Sequence, residues 1–369
     1  MLRLKLTKRL LGQYLAKPIY SREGRLLIAE ETALTEPILK NLKDNNISVI
    51  YIAAFPDLIY KDDLFPDNQK ILILNEIDDL HKLIKEIIPI QQPSSAQDNN
   101  KRTELYELSD KILRKISNIV NTLIDVVYYF DDKTLKHFIE YRFMFPFFIN
   151  KIILNAIYSA YTAKAMNINK LEIEKLLSAV ILLDVGFYKL PERLLNRKIY
   201  YDNEEAKEIL KHPFYSFDIL RNIIGFDTIV ASLVYMSHER INGGGYPRKL
   251  KASEIPELAQ IIGITDTFTE LKYSPKYKNM LNPELIYELI ASDSFDKKIS
   301  EIFIKAIPPY PIGTTVYLNN GEIGVVIDYD ESQPFKPKIR KLDAGNLYKD
   351  IIEYDLKQDK NLKITGYVW

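Results

Sequence analysis

The stretch Ser237-His238-Glu239-Arg240-Ile241-Asn242-Gly243-Gly244-Gly245-Tyr246-Pro247-Arg248-Lys249-Leu250 governs the reading of this 369-residue chain. Apolar residues at helical spacing precede it, so a helix predicted over 228–237 ends at His238-Glu239. Three consecutive glycines then end any regular element, and Tyr246-Pro247 closes the turn. Glycines let backbone N–H groups come close to a phosphate, and a tyrosine ring can stack on a base. Alone, Gly-Gly-Gly-Tyr-Pro reads equally as an ordinary loop; its flanks decide its meaning.

Composition narrows the field. Lys+Arg and Asp+Glu are both 50, giving a formal net charge of +0. Nothing global favours nucleic acid or an anionic membrane, and an anionic ligand needs a local basic pocket. The absence of cysteine excludes disulfides and Cys-ligated metal sites and suits a cytoplasmic protein. No apolar run approaches the ~18 residues of a membrane helix. Cations interrupt the leucines of Met1–Arg9, unlike the apolar core of a signal peptide. The four histidines, His81, His137, His212 and His238, leave few candidates for a multi-His centre.

The pattern along the chain is mainly α. Residues 1–65 read as a small α/β module, with a hairpin over 14–29, a helix over 32–45 and a strand over 47–53. Residues 66–102 read as a helix near 78–87 followed by a polar linker. Over 103–130, Leu105, Leu108, Ile112, Ile116, Ile119, Leu123 and Val126 form the stripe of a long amphipathic helix, for core packing or dimerisation. Residues 103–307 give successive helical patterns, over 133–145, 147–166, 169–183, 203–210, 214–222, 228–237, 255–273 and 282–292, with a break at Pro146. Residues 308–369 read as a β-rich extension, opening with a hairpin around Asn319-Asn320-Gly321.

Four segments inside the helical region carry chemistry. They are Leu183-Asp184-Val185-Gly186-Phe187, followed by Lys189-Leu190-Pro191; His212-Pro213; Ser237–Leu250; and Ile261–Phe268 of the helix pattern over 255–273, which carries Asp266. Together they resemble the HD-GYP family, whose usual signature is His-His-Glu-Arg-x-Asp-Gly-x-Gly-Tyr-Pro-x-Gly-Leu. The resemblance covers most of the chain after Lys133. It implies an HD-type helical bundle of a metal-dependent phosphodiesterase that cleaves the bacterial messenger cyclic di-GMP. It also implies metal ligands at Asp184, His212, His238 and Asp266, with Asp184 bridging metals as the catalytic carboxylate. Nucleotide contacts fall to Gly244, Gly245 and Tyr246. Lys276 and Lys278 stand in a segment where the family carries arginines, and Arg240 and Arg248 add local positive charge.

The departures from the family pattern are equally specific. Lys151, Leu183 and Ser237 occupy positions of family histidines, Phe187 that of a lysine, Asn242 that of the Asp and Lys249 that of the last Gly. Two or three metals clamp a phosphodiester and activate a bridging water, and a leucine ligates nothing. A lysine at 151 repels a metal but can replace its charge by pairing with Asp184 or Asp266. Three functions remain open. One is a catalytically impaired signalling protein that binds cyclic di-GMP or a partner protein. Another is a weak phosphodiesterase with one Fe or Mn ion, since two His and a carboxylate suit either metal. The last is an interaction scaffold, as a homodimer through the 103–130 helix.

Overall fold

The computed structural model describes residues 2–21, 25–44, 47, 49–52, 67–90, 99–129, 147–195, 201–274, 283–330, 332–342 and 351–367. The helix predicted over 133–145, Pro146, His137, Lys276 and Lys278 lie outside them, as do most of the first hairpin's turn and of the polar tract. The chain divides into two compact units. One combines the N-terminal 72 residues and the C-terminal segment from Ile307; the other holds 73–129 and 147–306.

In the first unit, β1 (Leu2–Lys5) pairs antiparallel with β4 (Val49–Ile52). Between them lie a short hairpin, β2 (Ile19–Tyr20) and β3 (Leu26–Ile28), and helix α1 (Glu36–Asp44). The C-terminal segment forms β5 (Thr315–Leu318), β6 (Ile323–Asp328), β7 (Lys338–Leu342), β8 (Glu353–Asp355) and β9 (Ile364–Tyr367). These make one antiparallel sheet in the order β8-β7-β6-β5-β9.

Strand β6 is central, and both of its faces are covered, so it lacks the polar alternation of a half-exposed strand. Val325 packs into a core with Leu15, Leu34, Leu42 and Ile50 of the N-terminal module. Val326 points the other way, against Tyr310, Val316 and Ile339. The two chain ends thus share a hydrophobic core.

The second unit is the helical bundle. It contains α2 (Asp67–Ile87) from Ile73 onward, α3 (Asn99–Tyr129), α4 (Phe147–Ala165), α5 (Lys170–Val180), α6 (Glu192–Leu195) and α7 (Asn203–Ile209). It continues with α8 (His212–Asn222), α9 (Thr228–Met236), α10 (Glu257–Tyr273), α11 (Pro283–Ile290) and α12 (Lys297–Ala306). Helix α2 begins well before the expected residue 78. Helix α3 begins inside the stretch assigned to the polar linker: Asn99 to Arg102 form its first turn, because residues that favour solvent can occupy the exposed end of a helix whose later turns are anchored. The stripe of α3 is buried at Leu105, Ile112, Ile116, Ile119, Leu123 and Val126, and the helix packs on α4 and α5. Helices α4 and α10 lie side by side at the centre, each buried around most of its circumference. A lysine on such a helix needs a partner, and Lys151 sits on α4.

Truncation of Val325 to Ala should cost about 2 kcal/mol, from two buried carbons at roughly 0.8 kcal/mol each plus the cavity left. Ile351, which is 66% exposed, should tolerate the same change within about 0.5 kcal/mol. Urea unfolding of the two variants checks the contrast.

Candidate functional site

Five segments of the bundle converge. Helix α4 supplies Lys151 and Asn155; the turn after α5 supplies Leu183 and Asp184; α8 opens with His212; the end of α9 leads into His238; and α10 supplies Asp266 and Glu270. Gly186 sets the approach of the second segment to the third. A Cβ there would lie 2.0 Å from the His212 carbonyl oxygen and 2.5 Å from the Ser216 nitrogen. The Gly186 N–H donates to Ser216 Oγ at 2.8 Å, and that hydroxyl donates to the Leu183 carbonyl at 2.8 Å. Asp184 is thereby locked beside α8, and its side chain caps no helix.

Lys151 points into the cluster. Its Nζ lies 3.3 Å from Asp184 Oδ2, 3.0 Å from Asp266 Oδ1 and 3.4 Å from Glu270 Oε2. Asn155 donates a further hydrogen bond to Asp266 Oδ1 at 3.3 Å. One ammonium among three carboxylates leaves the cluster formally two charges negative. Burial opposes the charged lysine, but Asp184, Asp266 and Glu270 outweigh it and hold its pKa well above the ordinary value. Burial likewise opposes ionisation of Asp266, yet the Lys151 ammonium holds that carboxyl below its usual range.

The histidines stand on the other side of Asp184. His212 Nδ1 donates to the Ile209 carbonyl at 2.9 Å; since a carbonyl only accepts, the proton is on Nδ1 and the Nε2 lone pair faces the cluster. His238 Nε2–H donates into that lone pair at 3.0 Å. Burial lowers both histidine pKa values, and for His238 the neighbouring His212 adds to the effect, so both rings are neutral at neutral pH. Asp184 Oδ1 is 3.7 Å from His212 Nε2.

Aromatic rings frame the pair. Phe187 stacks on His212 with centroids 4.3 Å apart, and Tyr246 stacks on His238 at 4.8 Å. One face of Tyr246 is therefore already occupied by an imidazole. Leu183 is buried and offers no donor atom. Ser237 turns away, its hydroxyl donating to the Val234 carbonyl of its own helix at 2.9 Å.

The glycine loop is held from below. The buried Glu239 carboxylate accepts from the Arg248 N–H at 2.6 Å and the Leu250 N–H at 2.8 Å. A Cβ on Gly245 would fall 2.4 Å from the Arg240 nitrogen, so this glycine serves the loop's packing, while Gly244 is exposed. Lys249 adopts φ 59, the left-handed region where the family signature has glycine. The charge of Arg240 is engaged within the protein. Its guanidinium bonds the Ser237 and Glu239 carbonyls and Thr267 Oγ1 and lies over the Phe295 ring.

Sequence reasoning missed Asn155, Glu239 and Glu270 as members of the site. Glu270 had a signal, standing one helical turn after Asp266; Glu239 lay in the opening motif. Asn155, four residues after Lys151 on the same helix, needed the fold to show its direction.

Asp184, His212 and His238 present ligand atoms within 4.8 Å of one another, which fits one metal ion. The His212 N–H held by a carbonyl is the outer support that a ligating histidine needs. The residues do not fit a second ion, because the Lys151 ammonium lies between Asp184 and Asp266, and Leu183 and Ser237 turn no donor toward them. Among the described residues, Asp266 is held by Lys151 and Asn155 rather than grouped with the other three.

Residues 142–291 match the HD domain family, and residues 315–368 match the KOW domain associated with HD domain. The chain is 30% identical over 188 residues to the cyclic di-GMP phosphodiesterase PdeB of Borreliella burgdorferi, covering 50% of this chain and 49% of that protein. It is 27% identical over 164 residues to a cyclic di-GMP phosphodiesterase of Pseudomonas aeruginosa, covering 44% and 40%. The matches thus span about half or less of those relatives. A solved HDG"Y"P protein from Bdellovibrio bacteriovorus aligns with a TM-score of 0.45 and 16% identity, over 82% of this chain and 97% of that one.

Lys151→Met should destabilise the protein by roughly 3–5 kcal/mol at pH 7, because it strands buried carboxylates. The lysine's contribution is fully present below its ordinary pKa of 10.5 and is lost as pH rises through its raised value. That of Asp266 is present above 3.8 and is lost as pH falls through its lowered value. The difference between wild type and variant in urea unfolding should therefore be level across that window and shrink at both ends. Lys249→Gly should add about 1 kcal/mol by relieving the left-handed backbone, read as a higher melting temperature.

Proposed function

We propose, from the premise that this chain belongs to the HD-GYP family of HD-domain proteins, that it serves cyclic di-GMP signalling by binding rather than by turnover. The observation that carries this reading is the Lys151 ammonium within 3.4 Å of three carboxylates. An ammonium neutralises carboxylates as a cation does, but it cannot activate a bound water as a metal does. The cluster keeps a cation among its carboxylates while giving up the metal's nucleophile.

The relatives' substrate supports a cyclic dinucleotide as the ligand. Tyr246, Lys276, Lys278 and the exposed Gly244 are the residues we assign to it. The bound state would then be passed to a partner protein. Among the described residues, no helix is long and apolar enough to cross a membrane.

A second reading has its own observation. Asp184, His212 and His238 can hold one Fe or Mn ion, which would supply Lewis acidity and a bound water of lowered pKa. This chain's part would be to orient His212 through Ile209 and to keep both imidazoles neutral.

Calorimetric titration of the full chain with cyclic di-GMP, beside a hydrolysis assay with Mn²⁺ or Fe²⁺, separates the readings. Binding without hydrolysis is expected, together with weaker binding by Lys276→Ala/Lys278→Ala. Metal-dependent hydrolysis that disappears in His238→Ala would replace the first reading with the second. Neither binding nor hydrolysis would sink both and leave a scaffold.

A further inference from the structure

We infer that His81 is a positioning residue through which α2 controls the geometry of the Asp184–His212 site. The inference rests on that site being the functional one. His81 is 2% exposed and uses both ring nitrogens. Its Nε2 donates to the Ile181 carbonyl at 3.0 Å, which fixes the tautomer. Its Nδ1 then accepts from the Tyr188 hydroxyl at 2.8 Å. These two partners bracket Asp184, one three positions before it and the other four after. A histidine that merely satisfied one buried carbonyl would leave the far end of this turn untouched.

The clip continues into the site through Phe187, which adjoins Tyr188 and stacks on His212. Helix α2 makes a second tie one turn further on, with Lys85 Nζ 4.4 Å from the centre of the Tyr188 ring. Phe148 of α4 meets the His81 ring edge-on at 5.2 Å. Leu74, Ile77, Leu80 and Ile84 are fully buried, so α2 is seated as a body and a shift of it strains both His81 bonds together. Burial lowers the His81 pKa to about 4, which preserves the neutral ring and its two bonds at ordinary pH. The other groups near His81 are Asp78 and Lys85 on α2, Asp184 across the turn and the Tyr188 hydroxyl. The control we assign to α2 is mechanical and needs no titration.

Tyr188→Phe removes only the hydroxyl, and Lys85→Gln removes only the second tie. The control is Ser109→Ala, which removes a hydroxyl that accepts from the Ile224 N–H at 3.0 Å elsewhere in the same unit. With four histidines in the chain, the His212 ring is followed by NMR, and amide exchange is followed at Val185–Lys189. Tyr188→Phe should move the His212 ring signals and speed exchange across 185–189 by about tenfold relative to the control, as expected for one lost buried hydrogen bond. Lys85→Gln should do the same to a smaller extent. Signals and exchange matching the control in both variants would overturn the inference. These readouts need no ligand, so a wild type that fails to bind cyclic di-GMP defeats the proposed function without deciding the clip.

Discussion

The bundle is organised around one buried ion cluster. Lys151 lies on α4, a helix buried around most of its circumference, and its ammonium reaches carboxylates from the turn after α5 and from α10. An unpaired charge at this depth would cost several kcal/mol. The three segments are therefore held to within hydrogen-bonding distance of one point, and the rest of the site takes its position from them. Asn155 one turn along α4 binds the same Asp266 oxygen, so α4 and α10 are pinned twice.

Two further constraints fix what stands around the cluster. Gly186 lets the Asp184 turn rest on the start of α8, which brings His212 to the carboxylate. Glu239 ties the loop after α9 by its own backbone N–H groups, which carries Tyr246 onto His238. The result is a pair of neutral imidazoles between a phenylalanine and a tyrosine, beside an ion cluster that already contains its own cation. A multi-metal centre and a lysine-held centre need the same backbone; the side chains at 151, 183 and 237 separate them.

Much of this was legible in the chain. The family register placed Asp184, His212, His238 and Asp266 in one region, because the flanking Pro191, Pro213 and Tyr246-Pro247 fix the reading frame. Most helices were also legible, since a 3.6-residue apolar period marks them whatever they pack against. Strands β1 and β8 and helices α6 and α12 were missed; each is short, and tertiary packing rather than length stabilises it. The partners of Arg240 were not legible, since a cation beside a glycine loop gives no sign that three carbonyl and hydroxyl oxygens nearby will bind it.

The sequence by itself determined the mainly helical class and set lysine, leucine and serine at 151, 183 and 237, because residue type and spacing are local properties. Only the tertiary structure decided that Lys151 turns inward, that Ser237 turns back on its own helix and that Glu270 joins the cluster. It alone put Val325 of the C-terminal sheet into the core of the N-terminal module and set His81 across the Asp184 turn. All but the Ser237 turn and the Val325 packing depend on which groups lie within about 3 Å across gaps of tens to hundreds of residues. A hydrogen bond or ion pair is decided at that distance, and no local pattern encodes it.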